Sequence, residues 1–114
     1  MKNSIVLVPF PFDDFSSVKV RPALCLTNQI GIYNHIVIAL ISSQISANSL
    51  QSDFKIIANE NLETGLHVDS IIKLHKVVTI PKELIKRKLG ELSDINAKIV
   101  EKKLLELFEI KHAE

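Results

Sequence analysis

Arg21 is the side chain in this sequence best suited to binding a phosphate group. A guanidinium is always charged, and its planar fork of N–H donors can grip two phosphate oxygens at once. Such a cation would stabilise the negative charge that develops in a reaction at phosphorus. The alternative is a structural role, in which Arg21 forms a salt bridge with Asp13 or Asp14. From the residues alone, the salt bridge is the favoured interpretation.

The histidines give no sign of a metal site. His35, His67, His75 and His112 are scattered without the spacing of metal ligands, and no carboxylate cluster accompanies them. His67 and His75 would suit a two-histidine acid–base scheme, because imidazole titrates near neutral pH. Scattered surface histidines are the commoner case. The sequence therefore predicts neither a zinc nor a magnesium centre.

Length and composition indicate one globular domain, residues 1–114. A hydrophobic content of 46% excludes intrinsic disorder, and a net charge of +1 is too small for a protein that coats nucleic acid. Cys25, the only cysteine, lies in an apolar run and is expected to be buried and inert. No stretch approaches the roughly 18 apolar residues of a membrane span. We therefore expect a cytoplasmic protein that has no membrane segment.

The elements that must position these side chains are mostly short strands. Apolar and β-branched runs bounded by turn residues predict strands at residues 5–8, 21–27, 35–41, 54–57 and 70–80. Polar segments 13–19 and 42–52 predict loops. The β-branched run within 35–41 is typical of a strand buried on both faces.

Two helices are predicted after the last strand. Pro81 would open the first helix, which runs to Leu89, and Gly90 would end it. Ser93 would cap the second helix. An apolar stripe at helical spacing in the second helix comprises Val100, Leu104, Leu107 and Phe108.

The densest basic cluster falls within the first predicted helix, at Lys82, Lys86, Arg87 and Lys88. A solvated helix face explains the cluster, and weak steering of a polyanion is the alternative. About five strands followed by two helices predict a mainly β, α+β fold. Such a fold would be a small, strongly bent sheet or barrel with the helices at its edge.

Several segments, in order along the chain, carry a resemblance to a known family. They are Ile-Val-Leu-Val-Pro-Phe-Pro-Phe-Asp-Asp (5–14), Lys-Val-Arg-Pro-Ala-Leu-Cys-Leu (19–26), Ala-Leu-Ile-Ser-Ser-Gln (39–44), Gly-Leu-His-Val-Asp-Ser (65–70) and the run 78–93. Together these segments resemble the PemK/MazF family of toxins, and the Phe-Pro-Phe-Asp loop followed by Arg-Pro is fairly specific.

The resemblance implies an SH3-like barrel and the toxin of a type II toxin–antitoxin system. The implied activity is metal-independent and cofactor-free: a sequence-selective endoribonuclease that cleaves single-stranded mRNA and stops translation and growth. The implied partners are RNA, a second copy of the chain in a homodimer, and a cognate antitoxin that blocks the RNA groove with a segment that orders on binding.

The resemblance also assigns roles to particular residues. Arg21 corresponds to the catalytic arginine of the family and Ser42 to its catalytic threonine. Ser42 would hydrogen-bond the scissile phosphate or the 2′-OH, and its alternative role is to cap the turn at the end of the strand. The expected RNA-binding residues are Lys19, Ser43, Gln44 and Ser70.

Two departures from the family pattern are visible. Asn3-Ser4 stands where the family has Gly-Asp, and Ser42 lacks the methyl group that stiffens a threonine rotamer. The alternative function is a non-catalytic binding protein on the same fold, either a gyrase-poison-like toxin or an inactive toxin homologue. A gyrase poison would need neither Arg21 nor Ser42, so the retained pair favours the nuclease.

Overall fold

The computed structural model describes residues 1–10 (the backbone alone at Phe10), 19–44 and 49–111. These residues form six β-strands and one α-helix. They are β1 (Ser4–Phe10), β2 (Lys19–Cys25), β3 (His35–Ser42), β4 (Asp53–Ile56), β5 (Ser70–Pro81), β6 (Arg87–Glu91) and α1 (Asp94–Leu107). All five strands predicted from the sequence are confirmed, with ends that shift by up to two residues.

The six strands of the described chain form one antiparallel sheet in the order β4-β5-β3-β2-β1-β6. The sheet is curled into a half-barrel, so the mainly β fold class predicted from the sequence is confirmed. The central strand β3 lies between β2 and β5. Its burial on both faces is also confirmed, since residues 38–41 are all buried.

Alternate residues of the central strands pack into two hydrophobic clusters, because successive side chains of a strand point to opposite faces. One cluster contains Leu24, Ala39 and Ile41 and is covered by α1. The other contains Cys25, Ile38 and Leu40, against which Ile85 packs. Burial raises the pKa of the Cys25 thiol, which agrees with the inert role expected of it.

Helix α1 begins where the sequence predicts. The hydroxyl oxygen of Ser93 accepts a hydrogen bond of 3.2 Å from the backbone N–H of Asn96, which confirms Ser93 as the N-cap. Three members of the predicted stripe, Val100, Leu104 and Leu107, pack on the sheet. Phe108 was wrongly included, because it follows the last residue of α1 and is 59% exposed.

The helix predicted for 81–89 is wrong. Pro81 is the last residue of β5, a single 3₁₀ turn spans Lys82–Leu84, and Arg87–Glu91 form β6. The reason lies in β1, whose outer edge has backbone groups that need partners. The N–H of Lys86 donates to the carbonyl oxygen of Leu7 at 2.8 Å, and β6 continues the pairing along β1.

Gly90 therefore has a different role from the helix stop that the sequence predicts. It lies in β6 beside the turn at Leu62–Thr64, and a Cβ added at Gly90 would overlap the backbone carbonyl of Glu63. The absent side chain lets the turn lie directly against the strand.

Candidate functional site

Arg21 and Ser42 are brought together by the pairing of β2 with β3. In the β2–β3 register, Ala23 pairs with Leu40 and Cys25 with Ile38. Continued by two residues, the same register sets Arg21 opposite Ser42, on the same face of the sheet. Although 21 positions separate the two residues in sequence, they line one cavity.

This basic cavity has a volume of about 290 Å³ and is lined by Arg21, Leu40, Ser42, Gln44, Lys73 and Lys76. The described lining holds three cationic side chains and no carboxylate, and one of the three, Lys73, is paired with Asp53, which lies outside the lining. Such a concave surface attracts and binds a phosphodiester backbone. Arg21, Ser42 and Gln44 are site residues predicted from the sequence, whereas Lys73 and Lys76 are not among the predicted ones.

Lys73 reaches the basic cavity from the regular ladder, where it pairs with Leu40, and an irregularity in β5 explains how Lys76 joins it. Leu40 of β3 pairs with Lys73, but the preceding residue, Ala39, pairs with Val77. The residues between Lys73 and Val77 therefore bulge from the ladder, which re-aims their side chains. Strict alternation along the sequence did not signal this bulge.

Lys73 is held in place by a buried ion pair. Its ammonium lies 2.9 Å from Oδ2 of Asp53, with the two side chains 16% and 4% exposed. Burial by itself would raise the pKa of Asp53. The hydrogen bonds from the N–H of Leu50 and from Lys73, together with the charge of Lys73, outweigh burial and lower this pKa below its usual value. Lys73 is thus a fixed cation in the wall of the basic cavity.

Ser42 caps the turn at the end of β3. Its hydroxyl oxygen accepts a hydrogen bond of 3.1 Å from the backbone N–H of Gln44. This is the capping role considered from the sequence, and it holds Gln44 in the lining of the same cavity. A hydroxyl that accepts a hydrogen bond keeps its own proton for donation, so the cap leaves Ser42 able to donate to a ligand.

Ser43 and Ser70 belong to a second cavity of about 270 Å³. This apolar-walled cavity is lined by Leu7, Arg21, Pro22, Ile41, Ser43, Gly65, Leu66, His67, Val68, Ser70, Arg87 and Leu89. Ser43 is exposed there, while Ser70 is 2% exposed and donates its hydroxyl proton to the carbonyl oxygen of Val68 at 2.9 Å. Arg21 lines both cavities and so lies between them.

The other residues considered from the sequence lie elsewhere. Lys19 is exposed at the start of β2 and lines neither cavity. His67 lines the apolar-walled cavity, whereas His75 lines a third cavity beside α1, so the two histidines do not share a site. Asp13 and Asp14, the alternative partners of Arg21, lie outside the described residues.

The described part of the chain contains no group of three or more His, Cys, Asp or Glu side chains arranged to hold a metal ion. No helix among the described residues is long and apolar enough to cross a membrane.

The sequence and the fold were compared with those of known proteins. The profile of a family described as PemK-like, MazF-like toxins of type II toxin–antitoxin systems matches residues 2–108. No curated protein matches the chain by sequence.

Three solved structures have a similar fold. The Mycobacterium tuberculosis toxin MazF-mt6 superposes with a TM-score of 0.75 at 20% identity, over 96% of this chain and 99% of that one. MazF from Deinococcus radiodurans gives 0.71 at 18% identity, over 95% and 94%. A mycobacterial endoribonuclease in complex with its cognate antitoxin gives 0.72 at 9% identity, over 99% and 98%. At these identities the likeness concerns the fold.

Proposed function

The chain belongs to the PemK-like, MazF-like toxins of type II toxin–antitoxin systems, and we propose that it acts as a metal-independent endoribonuclease. Its substrate is single-stranded mRNA, cleaved at a preferred short sequence, and the result is arrest of translation and growth. The observation that carries this proposal is the basic cavity, in which Arg21 and Ser42 lie with Lys73 and Lys76.

Cleavage of RNA without a metal requires three events at one phosphodiester. The 2′-OH loses its proton, its oxygen attacks phosphorus, and the 5′-oxygen leaves with a proton. The products are a 2′,3′-cyclic phosphate and a 5′-hydroxyl end. The protein must therefore stabilise the extra negative charge on the pentacoordinate phosphorus, and donors already fixed in position do this best.

Arg21 stabilises that charge in the proposed mechanism. Its guanidinium donates two hydrogen bonds to the non-bridging oxygens, while the ammonium of Lys73, fixed by Asp53, adds a further N–H donor to the same cavity. Ser42 donates its hydroxyl proton to the scissile phosphate or contacts the 2′-OH. Gln44, held by the Ser42 cap, contacts the neighbouring sugar–phosphate.

Outside the basic cavity, two further residues are proposed to contact RNA directly and a third, Ser70, to act indirectly. Ser43, at the end of β3, contacts the RNA strand. Lys19, at the start of β2, attracts the phosphate backbone of the RNA. The hydroxyl of Ser70 is already bonded to the carbonyl oxygen of Val68, so Ser70 acts by shaping the wall of the apolar-walled cavity.

The partners are also part of the proposal. The protein acts in the cytoplasm as a homodimer, with RNA bound along the dimer interface. A cognate antitoxin silences it by placing a segment, disordered when free, over the basic cavity. Membership of the family supports both interactions, and one structural neighbour was solved with its own cognate antitoxin.

The direct test is to replace Arg21. Arg21→Ala is expected to abolish growth arrest and to lower RNA cleavage by the purified protein by about 10²–10³-fold, because one charge-stabilising contact is lost. Lys98→Ala removes an exposed charge from α1 and is the matched control, with activity unchanged. Circular dichroism and urea unfolding establish that each variant is folded.

Ser42→Ala is a second variant of the same site, and it tests the proposal if Arg21→Ala does not fold. Loss of the hydroxyl removes a donor from the basic cavity but leaves the strand intact, so cleavage should fall at least tenfold. Full cleavage by both folded variants would refute the assignment of the site.

A further inference from the structure

The apolar-walled cavity contains a row of side chains that runs across four strands. Leu7 of β1 pairs with Arg87 of β6 on one side and with Pro22 of β2 on the other. The β2–β3 register, continued by one residue, places Ile41 next to Pro22. The row therefore has an apolar centre, with the guanidinium of Arg87 at one end.

The opposite wall comes from the segment before β5. Leu66 and Val68 add apolar surface, and His67 is exposed at the rim. The volume of about 270 Å³ lies just below the range for drug-sized ligands, roughly 300–1,000 Å³. A flat ring system can pack its faces on these aliphatic side chains, whereas a phosphate group has no apolar surface to bury against them.

The two cavities are adjacent at the end of β3. Ser42 lines the basic cavity and Ser43, the next residue, lines the apolar-walled cavity. Arg21 lines both. An RNA strand whose phosphate is held in the basic cavity would therefore have a neighbouring base within reach of the apolar-walled cavity.

The charged groups of the apolar-walled cavity are hydrogen-bond donors. Among the described residues that line this cavity, the charged side chains are Arg21 and Arg87, which carry only N–H donors, and none is a carboxylate. A base that hydrogen-bonds to either guanidinium must present acceptors. Guanine presents O6 and N7 side by side, which matches the fork of an arginine, whereas adenine presents the N6 donor in place of O6.

We propose that the apolar-walled cavity binds the base next to the scissile phosphate and that Arg87 makes this position selective for guanine. The inference rests on the proposed function, because it places the base relative to a cleaved phosphodiester. Arg87 grips O6 and N7 of the base, while Leu7, Pro22 and Leu66 contact its faces.

The test compares RNAs that differ only at the two positions flanking the scissile bond. Wild-type protein should cleave RNA with guanine at one of these positions about tenfold or more faster than RNA with adenine. Substitution of 7-deazaguanine removes N7 as an acceptor and should lower cleavage by a similar factor. Arg87→Ala should cleave RNAs with guanine, adenine or 7-deazaguanine at this position at equal rates.

Two further variants separate base selection from charge and from folding. Arg87→Lys keeps the charge but loses the fork, so it should lose the preference for guanine while it still binds RNA. Lys88→Ala is the matched control, because Lys88 lies next in β6, does not line the cavity, and pairs with Glu91 at 3.5 Å. Its preference for guanine should equal that of the wild type.

The outcomes distinguish this inference from the proposed function. If Arg87→Ala slows all RNAs equally, Arg87 contacts a phosphate, and the inference fails while the nuclease stands. If the wild type cleaves nothing, the same oligonucleotides are measured by fluorescence anisotropy. Binding selective for guanine that Arg87→Ala abolishes would then support the base site alone, and equal binding of guanine and adenine RNA would overturn it.

Discussion

Asp53 and Lys73 link the stability of the fold to the charge of the basic cavity. Asp53 lies opposite Lys73 across β4 and β5, and the carboxylate is almost entirely buried. Removal of one partner from a buried pair leaves the other charge poorly solvated, which costs more than the pair contributes when intact. The same carboxylate that holds Lys73 at the cavity wall therefore also stabilises the sheet.

Asp53→Asn should lower the free energy of unfolding at neutral pH by roughly 2–3 kcal/mol. Because the folded state lowers the pKa of Asp53, the contribution of the carboxylate is fully present above its unfolded pKa of about 4. It is lost as the pH falls through the lower pKa of the folded state. Urea unfolding at a series of pH values measures the difference in free energy of unfolding between the wild type and Asp53→Asn. Glu101→Gln, on the exposed face of α1, is the control. A constant difference at all pH values would contradict the ion-pair account.

Among the elements, β6 shows how pairing between strands overrides the local sequence signals for the start and end of a helix. Pro81 and Gly90 stand at the two ends of a segment that reads as a helix, in the positions where proline and glycine commonly begin and end one. The open edge of β1 decides otherwise, and neither that edge nor the turn against Gly90 is visible in the sequence of this segment. By contrast, the other five strands and α1 were predictable, because their apolar patterns and the Ser93 cap are local signals.

Gly90→Ala tests the close approach between β6 and the turn at Leu62–Thr64. The added Cβ would overlap the backbone carbonyl of Glu63, so the free energy of unfolding should fall by about 1–3 kcal/mol. Lys88→Ala, on the exposed part of the same strand, should change it by less than about 0.5 kcal/mol. Urea unfolding measures both variants, and equal stability would contradict the packing described for this strand.

At the scale of the whole molecule, the site depends on the order of the strands. Arg21, Ser42 and Lys73 come from β2, β3 and β5, which are neighbours in the sheet although β4 separates β3 from β5 in sequence. The family resemblance predicted roles for Arg21 and Ser42, but no sequence pattern predicted that Lys73 and Lys76 would join them. The position of Lys76 follows from the β5 bulge, that of Lys73 from its pairing with Leu40, and that of Arg87 from the pairing of β6 with β1.

The central claim is that this arrangement cleaves RNA without a metal. The most direct measurement incubates the purified protein, free of antitoxin, with a long mixed-sequence RNA in excess EDTA and maps every new end. We expect 5′-hydroxyl ends at a recurring short sequence, and none with Arg21→Ala. RNA that remains intact with the wild-type protein would contradict the nuclease and leave a binding protein on the same fold.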